Sequence, residues 1–247
     1  MRGSTRPDTR VGLWGLLDRY PFTIGVSLTL LLLFLFAGMR SNGWPIHPDL
    51  RLALGANVSD LLRAEPWRLL TSAFLHYDPF HLVLNLVAIL FWGRLLEVHF
   101  GSARLWVLYV VCALAGNALS ALWQELLVWQ GLARGSTSCV GASGAVFGLL
   151  FLGLITAQRA PERFGSWLFL LRSWIGLSFI LAFLSGGPVD HANHLGGALT
   201  GILLAYLFPP RPGEDLAPAW GVWALVLAAG LLASFARVVW SLRSLHP

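Results

Sequence analysis

Seven predominantly apolar stretches, at 22–39, 79–96, 105–124, 139–158, 167–185, 189–208 and 219–236, alternate with shorter polar connections along the 247 residues. Each is about as long as a helix needs to cross roughly 30 Å of hydrocarbon at 1.5 Å per residue, which predicts seven transmembrane helices. The breaks carry their own signals: Gly186-Gly187-Pro188 is a turn sequence, and Pro209-Pro210 ends the sixth stretch. The connection 40–78 is unusually long and holds Pro45, Pro48 and Pro66. Helix-like apolar spacing over 50–62 predicts a segment lying in the bilayer interface, with Trp44 and Trp67 as anchors.

Composition sharpens this picture. The chain is 56% hydrophobic and 12% charged, against about 25% charged in soluble domains, so an integral membrane protein is expected. All 17 basic residues are arginines and they cluster in the short connections, a pattern that suits membrane topology better than nucleic-acid binding, which would need a continuous basic face. Arg2, Arg6, Arg10 and Arg19 precede the first stretch, which places the amino terminus in the cytoplasm. Ten arginines then fall on the inner side and seven on the outer, with Arg237 and Arg243 against the bias. The first stretch lacks a small-residue cleavage site and reads as a retained span. Cys112 and Cys139 show neither metal-site nor disulfide spacing.

Polar residues inside apolar stretches are expensive and therefore informative. His81 and Asn85 lie in the second stretch, Ser143 in the fourth, and Asp190, His191, Asn193 and His194 at the start of the sixth. Even-numbered spans run in the same direction, and each residue falls in the first third of its span. Ser143 lies about four residues in, or roughly 6 Å at helical rise, and His194 about five. A shared pocket facing outward follows. His81 and Asn85 at i, i+4 share a face, as do His194, Gly197 and Gly201. Gly144 with Gly148, and Gly197 with Gly201, form small-residue pairs that allow two helix backbones to approach closely.

A serine hydroxyl becomes a nucleophile when a base takes its proton, and histidine suits that task near neutral pH. Ser143 is the candidate nucleophile and His194 the candidate base, with His81, Asn85 and the Ser143 backbone N–H as donors to an oxyanion. Asp190 is placed either to orient His194 or to cap its helix. Phe147, one turn beyond Ser143, is placed to lie flat on the His194 ring. A dyad is expected, with no cofactor and no metal.

These residues resemble the rhomboid intramembrane serine proteases. Gly141-Ala142-Ser143-Gly144 is similar to the family's Gly-x-Ser-Gly motif; His76, His81 and Asn85 match its second-span pattern; His194, Gly197 and Gly201 match its base motif. Trp67-Arg68, Glu97 and Gly101-Ser102 are similar to further family positions, and Phe147 stands where some members carry tyrosine. The resemblance covers about 22–208. It implies an all-α, polytopic membrane protein: a six-transmembrane-helix rhomboid-like bundle at 21–210, after a cytoplasmic tail at 1–20. A linker and a seventh C-terminal transmembrane helix occupy 211–247. It further implies peptide-bond hydrolysis in or beside the transmembrane helix of a single-pass or other membrane protein, near the outer leaflet, with span five and the loop after it gating access. A bacterial inner membrane is the expected setting; oligomeric state and natural substrate stay open.

Gly-x-Ser-Gly alone is weak, because small residues are common in membrane helices; four complementary groups at matching spacings carry the reading. The run is neither a dinucleotide fingerprint nor a nucleophile elbow, since no G-x-G-x-x-G occurs and Gly144 directly follows the serine. The alternatives are a catalytically silent rhomboid-like binding factor, against which both Ser143 and His194 speak, and a solute transporter, for which no inverted repeat is found. His191 has the wrong spacing from the glycines to be the base. Glu97 is expected to form an ion pair with Arg94.

Overall fold

A computed structural model describes residues 12–135, 137–184, 189–210 and 218–244. The turn sequence Gly186-Gly187-Pro188, the arginines of the first ten residues and Arg211 lie outside the described residues. The described residues form twelve α-helices and no strand: α1 Leu13–Arg19, α2 Pro21–Ser41, α3 Pro48–Ala53, α4 Arg68–Thr71, α5 Pro79–Ala88, α6 Arg94–Phe100, α7 Ser102–Trp129, α8 Ser143–Arg159, α9 Pro161–Phe164, α10 Trp167–Leu184, α11 His191–Leu207 and α12 Pro218–Ser244. A π-helical turn at Ile89–Gly93 joins α5 to α6, so that Pro79–Phe100 is one apolar rod. With α2, α7 and α12 this makes, among the described residues, four helices long and apolar enough to cross a membrane; α8 and α10 are apolar but shorter, and α11 is 17 residues long with a polar first turn.

The molecule puts many apolar side chains outside and several polar ones inside. Leu32, Phe169 and Leu225 are more than three-fifths exposed, while Asn57, Ser72, His76, Asn85, Asn117 and Asn193 are buried. In water that arrangement would leave apolar faces unsatisfied, whereas lipid covers them at no cost. The interior is built around α11, which packs most intimately on α8 and α7. A methyl group added to Gly197 would lie 1.9 Å from the Gly144 carbonyl oxygen, and one on Gly201 2.0 Å from that of Gly148. The two helices therefore touch backbone to backbone, a separation no side chain at those positions permits.

The long first connection folds differently from expectation. No continuous helix covers 50–62: α3 stops at Ala53 because Gly55 adopts φ +98, outside helical space. Thr71 Oγ1 fixes that turn by donating to Gly55 O at 2.7 Å. Arg68, buried, donates to the carbonyls of Leu52 at 2.7 Å and Ala56 at 3.0 Å and pairs with Glu65. Glu97 also departs from its expected role. Its carboxylate accepts from the backbone N–H groups of Phe22 at 2.7 Å and Thr23 at 3.0 Å, so it serves the amino end of α2, where unpaired donors favour an anion. Arg94 instead donates to Leu90 O at 2.5 Å.

α12 lies against α7, α4 and α3. Arg237, within α12 and not beyond it, sits 5.0 Å over the Trp67 ring. Trp106 Nε1 donates to Ala224 O at 3.2 Å, and Leu231 and Val238 are buried at the seam. Arg104 is held by the carbonyls of Phe208 and Pro209 and faces the Trp220 ring at 5.3 Å.

Candidate active site

Ser143 is the first residue of α8 and not one turn inside it, as the apolar pattern suggested. The lead-in 139–142 is not helical: Asn57 and Cys139 exchange backbone hydrogen bonds at 2.9 Å in both directions, the chain turns into α8 at Ala142, and Gly141 has φ +140. A glycine is needed there because L side chains rarely adopt that angle. Gly141 N–H donates to Ser72 O at 2.9 Å, which ties the turn to the first connection. No side chain caps α8, so its first-turn N–H groups stand beside Ser143 as donors.

His194 is the fourth residue of α11, and its ring lies flat on Phe147 with centroids 4.2 Å apart and planes 10° off parallel. Phe147 is one turn from Ser143 on α8, and the Gly144–Gly197 contact lies between. The hydroxyl and the imidazole are thus borne by the first turns of two helices that touch. Among the described residues no hydrogen bond joins Ser143 Oγ to His194; such contacts are often long in unliganded enzymes and tighten on substrate.

Asp190 Oδ1 accepts from Asn193 N at 2.9 Å, and its Oδ2 accepts from the Ser120 hydroxyl. Asp190 therefore caps α11 and does not face the His194 ring through a hydrogen bond. His191 is exposed, with its ring 6.3 Å from that of His194 and perpendicular to it.

On α5, Asp78 caps the helix through His81 N at 2.8 Å. The His81 ring closes over Gly141: a methyl there would lie 2.6 Å from His81 Cε1 and 3.7 Å from Ser143 Oγ. His81 and Ser143 thus border the same glycine. His76, buried behind, packs on His81 with centroids 4.9 Å apart. Burial first, and the neighbouring His81 second, hold the His76 imidazole well below its usual pKa, so it is neutral. The buried Asn85 donates one amide hydrogen to His81 O at 2.8 Å. Cys139 is no rival nucleophile, since burial above all, then Asp190, pushes its thiol up to about 12 and keeps it protonated. Among the described residues no three His, Cys, Asp or Glu side chains gather as a metal site requires.

Reading polar residues only in even-numbered stretches missed α7. Asn117 and Ser120 are buried there, Asn117 reaching Ser72 and Asn193, and Ser120 reaching Asp190. Their signal was present as polar residues in an apolar stretch, the very criterion applied to the other spans.

An all-helical bundle with apolar outer faces and buried polar side chains is the architecture of a polytopic membrane protein. A family model of the Rhomboid domain matches residues 63–211, and the chain belongs to the rhomboid family. It is an integral membrane protein. RHOMBOID-like protein 1 of Arabidopsis thaliana is 36% identical over 155 residues, 60% of this chain and 36% of that one. RHOMBOID-like protein 5 of Arabidopsis thaliana is 36% identical over 172 residues, 68% of this chain and 52% of the relative. Rhomboid-like protease 1 of Toxoplasma gondii is 32% identical over 196 residues, 76% and 63% respectively. The chain spans between about a third and two thirds of the length of these relatives. These plant and Toxoplasma relatives lend nothing to the expectation of a bacterial inner membrane.

Proposed function

We propose that this chain is an intramembrane serine endopeptidase that cleaves peptide bonds in or next to transmembrane helices of single-pass or other membrane proteins. The observation that carries the reading is the flat Phe147–His194 stack one turn from Ser143, on helices in backbone contact. His194 takes the Ser143 hydroxyl proton as the oxygen adds to the scissile carbonyl carbon. The Ser143 N–H, His81 and the second amide hydrogen of Asn85 donate to the resulting oxyanion. His194 returns the proton to the leaving amine, the C–N bond breaks, and water then releases the acyl group by the same route. The Asp190 carboxylate stays with the cap, so the pair acts as a dyad, and Phe147 holds the base ring.

In this reading 1–20 is a cytoplasmic tail, 21–210 a six-helix core and 211–247 a linker with a seventh transmembrane helix. The site opens toward the leaflet opposite the tail. Reconstitution in liposomes with single-pass reporter proteins tests it: the wild type cleaves and takes a serine-directed fluorophosphonate, and Ser143→Ala does neither. Cleavage or labelling surviving Ser143→Ala defeats the assignment. His194→Ala is expected to abolish cleavage while His191→Ala retains it; equal loss from both would remove His194 as the base.

A further inference from the structure

Asn117, near the middle of α7, and Asn193, beside the candidate base, form a bond that no step above uses. Asn193 Nδ2 donates to Asn117 Oδ1 at 2.6 Å. Asn117 Nδ2 in turn donates to Leu69 O at 2.7 Å and Ser72 Oγ at 2.9 Å, and the Asn117 carbonyl accepts from Asn57 Nδ2 at 2.9 Å. The four side chains are all more than nine-tenths buried. Two arms leave this hub. One runs through Asn193 to the next residue, His194. The other runs through Ser72, whose carbonyl holds Gly141 N–H at 2.9 Å two residues before Ser143.

We propose that the Asn117–Asn193 pair positions the two halves of the dyad against each other; the proposal rests on the function proposed above. Successive helical residues project about 100° apart, so fixing Asn193 in one seam fixes where His194 points. Asn193 occupies the seam where α7, α8 and α11 meet. A methyl on Gly144 would lie 2.1 Å from Asn193 Oδ1, and one on Gly116 2.8 Å from the Asn193 carbonyl oxygen. An apolar residue would fill the same space without choosing an orientation. The bond requires Asn193 Nδ2, and not Oδ1, which has no hydrogen-bond partner among the described residues, to face Asn117 Oδ1, and so selects one rotation of the first turn of α11. Asn193 and Asn117 are positioning residues, since neither touches the reacting atoms.

A double-mutant cycle tests this in the full chain, reconstituted in liposomes with one reporter protein. Asn193→Ala and Asn117→Ala are each expected to lower kcat and the fluorophosphonate labelling rate about tenfold or more, with KM within threefold. The double variant is expected to lose no more than the worse single one, in kcat and in thermal unfolding temperature alike. Leu231→Ala, a buried residue of α12, supplies a protein of lowered unfolding temperature whose kcat stays within twofold of wild type. Should the alanine variants not fold, Asn193→Ser and Asn117→Ser take their places in the cycle. Losses that multiply in the double variant, or asparagine variants labelled at the wild-type rate, overturn the positioning role alone. A wild type that takes no label overturns the dyad reading and this proposal with it.

Discussion

Two of the helices beside α8, α11 and α10, are held in opposite ways. Against α11 the contact is main chain on main chain, with Gly144 and Gly148 facing Gly197 and Gly201. Against α10 it is side chain on side chain and uneven along the helix. At the start of α10, Leu171 is fully buried and Trp167 packs on His99 and Phe164. Farther on, Phe179 and Ile180 are more than half exposed, and Phe179 meets Phe147 only edge to face at 5.8 Å. A backbone contact has no rotamers to rearrange, whereas ring edges can part at the cost of little dispersion. The pair bearing Ser143 and His194 is thus the stiff side of α8, and α10 is packed more firmly at Leu171 than at Phe179 and Ile180.

The largest blow to this contrast is Gly201→Val. Its branched carbon would meet the Gly148 carbonyl oxygen at 2.0 Å, so about 3 kcal/mol or more of stability and all cleavage are expected to be lost, as measured by denaturant unfolding in mild detergent and by reporter cleavage. Phe147→Ala removes the ring under His194 while leaving the backbone contact intact. A stack of this kind contributes about 0.5–1.5 kcal/mol, so a fall in kcat of up to about tenfold is expected, with Phe147→Tyr close to wild type; an unchanged Phe147→Ala rate would show that the stack does not hold the base. The smallest effect belongs to Gly176→Ala on α10, where an added methyl meets nothing within 4 Å. Helix propensity then favours alanine by up to about 1 kcal/mol, and unfolding should show no loss of stability. A large loss there would mean that α10 is packed as tightly as α11.

Much of the architecture is legible because apolar length and glycine spacing are local properties. Gly197 and Gly201 sit four apart on a helix whatever else the chain does, and α2, α7 and α10 begin within about three residues of the apolar edges at 22, 105 and 167. What hydropathy does not reveal is long-range pairing. The stretch 139–142 is apolar enough to be helix, yet α8 begins only at Ser143 because Cys139 pairs with Asn57, more than eighty residues earlier. Glu97 stands next to Arg94 in sequence-derived helical geometry, but its partners are backbone groups of Phe22 and Thr23. A carboxylate seeking unpaired N–H donors leaves no mark in a hydropathy trace. Asn117 was visible as a polar residue in an apolar span; its importance lies in Ser72 and Asn193, far apart in the chain and adjacent only in the fold.

The seating of α12 has a consequence for how the protein comes into being. Trp106 donates to a carbonyl 118 residues downstream, and Trp67 lies beneath Arg237. A ribosome makes the chain from its amino end, so both tryptophans are made well before their partners. Nascent chains halted before Pro218 would leave the first connection without its outer brace, and the folding of that connection is completed only once α12 has emerged.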